Sequence, residues 1–276
     1  MQVKPLNNFV LLKAKVDNSK IKLEGGQILY LDTSFAKEKH SDVVCEVVSV
    51  PDRLVYGFTT DINPRTGKYI QKQESMDWKT DMELRVGDEV IIHYLAYVNA
   101  FGDDKRAFTL DGDEYFFCPY QYIYLAKRRW TATEEDVFWK SYKSSTTKYI
   151  TEEWKQQHGI AMNDKEIYNV VMLNGYILVQ PIEKELKSQY IELPASMTKA
   201  NKKKVRICYA GKPNKEYING VYYDQVVEPG DLAIVDKSID VPLEADDHKT
   251  FNGNESYWRL QSCLIHGILA HGSSDN

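Results

Sequence analysis

Leu6 to Lys13 reads LNNFVLLK, and Leu173 to Gln180 reads LNGYILVQ. The two stretches match position by position, except at Asn8/Gly175 and Lys13/Gln180. Further on, Val86 to Ile92 (VGDEVII) matches Pro229 to Val235 (PGDLAIV). Glu114 to Phe117, ahead of Tyr122 to Leu125, matches Ser256 to Leu260, ahead of Leu264 and Ile265. Three blocks recur in one order, and collinear recurrence of this kind marks a tandem repeat. This constrains the chain more than anything else in it, because each half must supply its own version of one fold.

That fold is built of strands. VCEVVSV and the segment Val205 to Tyr209 are β-branched, and Gly-Asp pairs mark turns before apolar runs. Asn219-Gly220 between KEYI and VYYDQVV carries the signature of a type I′ hairpin. The aromatic share of 12%, with 19 Tyr, favours strands and contact surfaces over long helices. Many short strands at this spacing predict an all-β chain, with a small antiparallel barrel or sandwich in each half.

Between the halves the pattern changes. Thr131-Ala132-Thr133-Glu134 has the form of a capping box, and Glu134, Glu135 and Asp136 suit a helix N-terminus. Val137, Phe138 and Tyr142 form a candidate apolar face. Thr151 is placed to cap a second short helix, EEWKQQH, with Gly159 ending it. Residues 130–166 therefore read as a helical connector. The halves are then 1–129 and 167–276, the first with an insert at 52–83.

Charge and motifs narrow the function. A net charge of -5 gives no general attraction for nucleic acid or anionic membrane. The first residues show no signal peptide, and no run reaches the ~20 apolar residues of a membrane span. Cys45, Cys118, Cys208 and Cys263 are widely spaced in apolar segments. They read as buried free thiols in a reducing cytoplasm, and no CxxC pair offers zinc a site. The six histidines lack ligand spacing, and no phosphate-binding GxxxxGK[ST] loop occurs. No catalytic residue, metal or cofactor is expected.

The order of the blocks resembles that of the GroES-like co-chaperonins, ring-forming lids of chaperonins. Pro5 to Lys13 fits the family's opening Pro-Leu-x-x-Arg-Val strand, with Phe9 where Arg is usual. Gly25-Gly26-Gln27-Ile28-Leu29-Tyr30, running into Leu31 to Lys39, fits its glycine pair, apolar tripeptide and Ala-Lys-Glu-Lys segment. Cys45 to Pro51 stands at the next strand, Leu84 to Val90 at the Val-Gly-Asp strand, and Tyr115 to Phe117 with Ile123 to Ala126 at the closing strands. The second half fits more loosely. Gln189 to Pro194 occupies the loop position without the glycines, and Glu192 interrupts the apolar triplet.

The resemblance implies two GroES-like irregular β-barrels in tandem. It implies a docking loop with Gly25, Gly26, Ile28, Leu29, Tyr30 and Leu31, and a weaker second loop with Tyr190, Ile191, Leu193 and Pro194. It implies a roof over a cavity, carrying Tyr56, Phe58 and Tyr69 in one half and Tyr217, Asn219 and Gly220 in the other. The implied partners are a large ATP-hydrolysing chaperonin, an unfolded client protein and further copies of the chain in a ring. The alternative is a structural or adaptor subunit, of a viral particle for example, that reuses the fold. Pattern alone leaves Ile28 to Leu31 open between a core strand and a docking grip.

Overall fold

The computed structural model describes residues 3–14, 20–22, 28–30, 43–56, 60–62, 65–71, 76–102, 105–144, 150–162, 166–182, 201–217, 226–235 and 257–269. The strands of the first half are β1 (Phe9–Ala14), β2 (Lys20–Lys22), β3 (Ile28–Tyr30), β4 (Val43–Ser49), β5 (Thr60–Ile62), β6 (Tyr69–Gln71), β7 (Trp78–Lys79), β8 (Glu89–Ile92), β9 (Ala107–Leu110), β10 (Asp113–Pro119) and β11 (Ile123–Arg129). There follow β12 (Ile160–Met162), β13 (Ile167–Met172), β14 (Tyr176–Ile182), β15 (Asn201–Ala210), β16 (Glu216–Tyr217), β17 (Leu232–Val235), β18 (Trp258–Gln261) and β19 (Ile265–Leu269). Three helices, α1 (Tyr94–Phe101), α2 (Ala132–Ser144) and α3 (Glu152–Gln157), complete the elements used below.

The strands form two large antiparallel sheets. One runs β12-β13-β11-β8-β4-β1-β10-β9, and the other runs β18-β14-β15-β17-β19. Neither closes on itself among the described pairings, so the expected barrels are seen here as open sheets. The chain is mainly β, as the turn and strand signals predict.

The internal repeat is visible in the hydrogen bonds. The order β10-β1-β4-β8-β11 in the first sheet has its counterpart in β18-β14-β15-β17-β19. Register follows residue by residue. Val44 faces Ile91 as Lys204 faces Ile234, and Ala126 faces Val90 as Ile268 faces Ala233. The irregularities coincide too, at Leu11/Leu12 and at Leu178/Val179. A bulge leaves one residue unpaired and bends its strand, and this one falls at the same place in both sheets.

The turns repeat as well. Gly87 (φ +89°) and Gly230 (φ +98°) take a backbone shape that strains other residues. Gly87 N–H donates to the Val47 carbonyl at 2.8 Å, and Gly230 N–H to the Ile207 carbonyl at 2.8 Å. The following aspartates accept from the backbone three residues back, Asp88 from Arg85 and Asp231 from Glu228. Each carboxylate thereby ties the end of its turn back to the residue that opens it. Asn7 and Asn174 also share a left-handed backbone, at φ +60° and +56°, which Asn tolerates better than most residues.

The connector helices form where their caps stand. Glu134 N–H donates to the Thr131 hydroxyl, and the Glu134 carboxylate accepts from Thr131 N–H at 2.7 Å. The bonds donated by Thr131 N–H and by the Thr131 hydroxyl hold the Glu134 carboxyl below its usual range. Thr151 accepts from Trp154 N–H at 3.2 Å, and Gly159 (φ +63°) follows α3. Phe138 and Tyr142 stack at 6.1 Å, with Trp130 and Trp154 against Phe138. Val137, expected on that face, is 63% exposed. It sits ~100° around the helix from Phe138, whereas Tyr142 lies one turn on.

The connector is shorter than its sequence interval. Ile160–Met162 pairs with β13, and β13 pairs with β11 (Leu125 to Met172, Arg129 to Tyr168), so residues on both sides of position 167 extend the first sheet. Between the sheets lies an apolar cluster that includes Ile91, Tyr124 and Leu125 from one side and Leu178, Tyr209 and Tyr257 from the other. The Arg259 guanidinium lies 3.6 Å over the Tyr124 ring. This cation–π contact spans the two halves.

Gly211 shows how closely the halves meet. A Cβ built there falls 2.3 Å from the Met172 carbonyl oxygen, inside backbone that cannot step aside. Gly211→Ala is expected to destabilise the chain by about 1–3 kcal/mol. Denaturant midpoints read this directly, and a change below about 0.5 kcal/mol would contradict it.

None of the four cysteines is in a disulfide. Cys45, Cys118 and Cys208 are buried, and burial pushes the thiols of Cys45 and Cys118 up. Cys263, expected to be buried, is half-buried because it sits in the one-turn helix Ser262–Leu264 between β18 and β19.

Candidate functional site

The expected docking and roof residues fall on segments between the large-sheet strands. Ile28, Leu29 and Tyr30 form β3, which pairs with β2 in the register Lys20 to Tyr30, Ile21 to Leu29 and Lys22 to Ile28. This hairpin is its own two-stranded sheet and joins neither large sheet. Gly25, Gly26 and Leu31 lie outside the described residues, as do Tyr190, Ile191, Leu193 and Pro194 of the second loop. Among the described residues, the core of the first half includes Val10, Leu12, Val47 and Phe116.

The roof segments meet each other. Tyr217 pairs with Trp78, and Glu216 with Lys79, so β16 of the second half and β7 of the first form one antiparallel ribbon. Lys215 N–H donates to the Lys79 carbonyl at 2.8 Å. Tyr69 lies in β6, which pairs with β5, and half-buried Tyr56 bridges to Met76. Phe58, Asn219 and Gly220 lie outside the described residues, and with them the expected type I′ turn.

Charge follows the same joint. Lys215 Nζ reaches both Asp81 oxygens, at 2.8 and 2.7 Å, and holds that carboxyl below its usual range. Lys212 Nζ stands 3.1 Å from Glu83. These pairs are exposed in part and contribute at most about 1 kcal/mol each. They set register more than stability.

Beneath the ribbon lies the stronger tie. Buried Asn174 accepts from Trp78 Nε1–H at 3.2 Å, and its amide donates to the carbonyls of Tyr120 (2.7 Å) and Ile123 (2.9 Å). One side chain thus joins the insert, the one-turn helix Tyr120–Tyr122 and the start of β14. The Tyr120 hydroxyl donates to the Asp81 carbonyl at 3.1 Å and accepts from Glu83 N–H, while burial pushes its pKa up. Arg128 adds a bidentate pair to Asp88 and a 2.8 Å bond to the Glu83 carbonyl.

Sequence reading missed this network, as it missed α1 and the pairing of β7 with β16. Asn174 was in view only as a repeat match. Its partners lie 51 to 96 positions away, and nothing local announces them. Among the described residues, no three His, Cys, Asp or Glu side chains gather as a metal would require. Nor is any helix there long and apolar enough to cross a membrane.

No protein-family model matches this chain, and no curated protein matches it.

Proposed function

We propose that the chain is a co-chaperonin-like lid, which docks on a large ATP-hydrolysing chaperonin ring and encloses an unfolded client. It acts by binding rather than by catalysis. The observation that carries this reading is the repeated five-strand order, with a long segment between its first and second strands in both halves. In the first half that segment holds the β2–β3 hairpin, apart from both large sheets. The ribbon of β7 and β16 supports a roof shared by the halves.

The energetics suit a lid that must leave. Burying three apolar side chains of Ile28 to Leu31 contributes roughly 1.5–3 kcal/mol each. Ordering the loop costs ~1–2 kcal/mol per residue. One loop binds weakly, and several on one assembly bind together through effective concentration. In the second loop Glu192 weakens docking further unless the chaperonin supplies a cation.

The test mixes the purified chain with a chaperonin and nucleotide and follows co-sedimentation and ATPase rate. A complex is expected at micromolar concentration, and Leu29→Glu is expected to weaken it at least tenfold without changing the melting temperature. Absence of a complex at that concentration would overturn the reading. A second reading, a structural subunit of a larger assembly, draws support from the fusion of the two roof segments into one ribbon. It predicts the chain at fixed stoichiometry in that assembly, with no response to chaperonin.

A further inference from the structure

Charges that answer one another in the first half are replaced in the second, and a cleft lies where they differ. In the first sheet one row crosses four strands. Lys13 faces Glu46, Glu46 faces Glu89, and Glu89 pairs with Lys127 at 2.6 Å. Each member has an opposite charge beside it. The matching row of the second sheet is Gln180, Arg206, Leu232 and Leu269. It keeps one cation and supplies no carboxylate to it.

Helix α3 lies beside this row, against β15. Its Glu153 carboxylate stands 3.8 Å from the Arg206 guanidinium, too far for a hydrogen bond. Both side chains are exposed, and an exposed pair of this kind adds little to stability. Between α3 and the sheet is a cleft of about 290 Å³, lined by these two residues and by Gln156, Gln157, Gly230 and Leu232. Its volume suits a small ligand.

Gln156 points to what such a ligand must bring. It is 4% exposed and lines the cleft. Its amide nitrogen donates to the Tyr257 hydroxyl at 3.4 Å. Among the described residues its amide oxygen accepts from no protein group. Buried polar atoms are nearly always paired, so a donor placed in the cleft would complete this amide. The walls are already set. The Tyr209 hydroxyl donates to the Ile160 carbonyl at 3.1 Å, just beyond α3. Gly230 N–H is taken by the Ile207 carbonyl, which leaves Arg206 as the anion-binding group of the cleft. A site fixed in advance costs little ordering on binding.

The lining selects a ligand with three features. Arg206 offers a planar fork to a carboxylate. Glu153 and the Gln156 oxygen accept the donors of an ammonium group. Leu232 adds an apolar surface. A simple anion is disfavoured, because Glu153 stands beside Arg206 and repels it. Carboxylate, ammonium and apolar side chain together on one carbon define an amino acid.

We infer that this cleft binds a free α-amino acid with an apolar side chain. Its carboxylate sits on Arg206, its ammonium between Glu153 and the Gln156 oxygen, and its side chain on Leu232. An occupied cleft clasps α3 to β15 and so ties the connector to the second sheet. The first half holds no second copy of the site, since Glu46 and Glu89 stand where Arg206 and Leu232 stand.

Titration calorimetry of the full chain with L-leucine should give a dissociation constant below about 1 mM. N-acetyl-L-leucine lacks the ammonium, L-leucinamide lacks the carboxylate and glycine lacks the side chain. Each should bind at least tenfold more weakly. Arg206→Gln and Glu153→Gln, both at exposed positions, should each weaken L-leucine at least tenfold and leave the melting temperature of the unliganded chain unchanged. No binding at concentrations tenfold above that constant would overturn the inference. So would N-acetyl-L-leucine binding as tightly as L-leucine, or leucine affinity that ignores both variants. Should a variant lose its melting transition, the ligand series on the parent chain still decides. The inference does not rest on the lid reading, and with no chaperonin present its failure is distinct from failure to dock.

Discussion

Asn174→Ala is expected to destabilise the chain by about 3–5 kcal/mol, among the largest effects of any single polar substitution in it. The side chain is 2% exposed and satisfies three groups that no water replaces easily: Trp78 Nε1 and the carbonyls of Tyr120 and Ile123. Each buried group left without its partner costs about 1–3 kcal/mol. Alanine also occupies the left-handed backbone at φ +56° less readily than Asn does. Asn174→Gly separates the two causes, since glycine relieves the backbone and still removes the amide. It should recover only about 1 kcal/mol of the loss. Asn7→Ala is the internal control, because Asn7 has the same backbone shape at φ +60° and is half-buried. Its cost should stay near 1 kcal/mol. Thermal and denaturant melts of the three variants would measure this. A cost for Asn174→Ala no greater than that for Asn7→Ala would remove the network from the account of stability.

Asn174 also shows what the sequence can and cannot display. Its place in the repeat is legible, because LNNFVLLK and LNGYILVQ are local strings whose matching sets strand, turn and face together. The same holds for the Gly-Asp turns, where Gly87 and Gly230 supply the backbone shape and Asp88 and Asp231 close the turn. The caps at Thr131 and Thr151 are legible for the same reason, since donor and acceptor lie three residues apart. Long-range joints have no such signal. The pairing of Trp78 with Tyr217 depends on where two distant inserts emerge. The assignment of Ile167–Met172 to the first sheet depends on an edge that only the folded β11 offers. Helix α1 was hidden by composition. YLAYVNAF is apolar on most sides, and a short apolar run does not declare its period. Of the candidate site, Ile28 to Tyr30 were legible as a short apolar run but not as core strand or docking grip, and the segments around them fall outside the described residues.

The halves diverge most usefully at Asp88 and Asp231, and the divergence predicts the second large effect. Both aspartates close the same turn. Asp231 is half-buried, whereas Asp88 is 2% exposed. Arg128 compensates that buried charge, with Nε to Oδ1 at 2.9 Å and Nη2 to Oδ2 at 2.7 Å. A fork of this kind is among the stronger polar contacts in proteins. Arg128→Met keeps the stem and removes the charge, and leaving Asp88 buried alone should cost about 3–5 kcal/mol. The double variant Arg128→Met/Asp88→Asn should recover much of that, because Asn still accepts from Arg85 N–H and carries no charge. Asp231→Asn, with no such burial, should cost about 1 kcal/mol or less. Arg128 also holds the Glu83 carbonyl at the end of the 52–83 insert. Limited proteolysis of Arg128→Met should therefore cut within 52–83 faster than in the parent chain, at temperatures where both are folded. If the single variant melts with the parent, Asp88 is not uncompensated without Arg128. If it melts early while the insert keeps its resistance, the pair stabilises the sheet and does not anchor the roof.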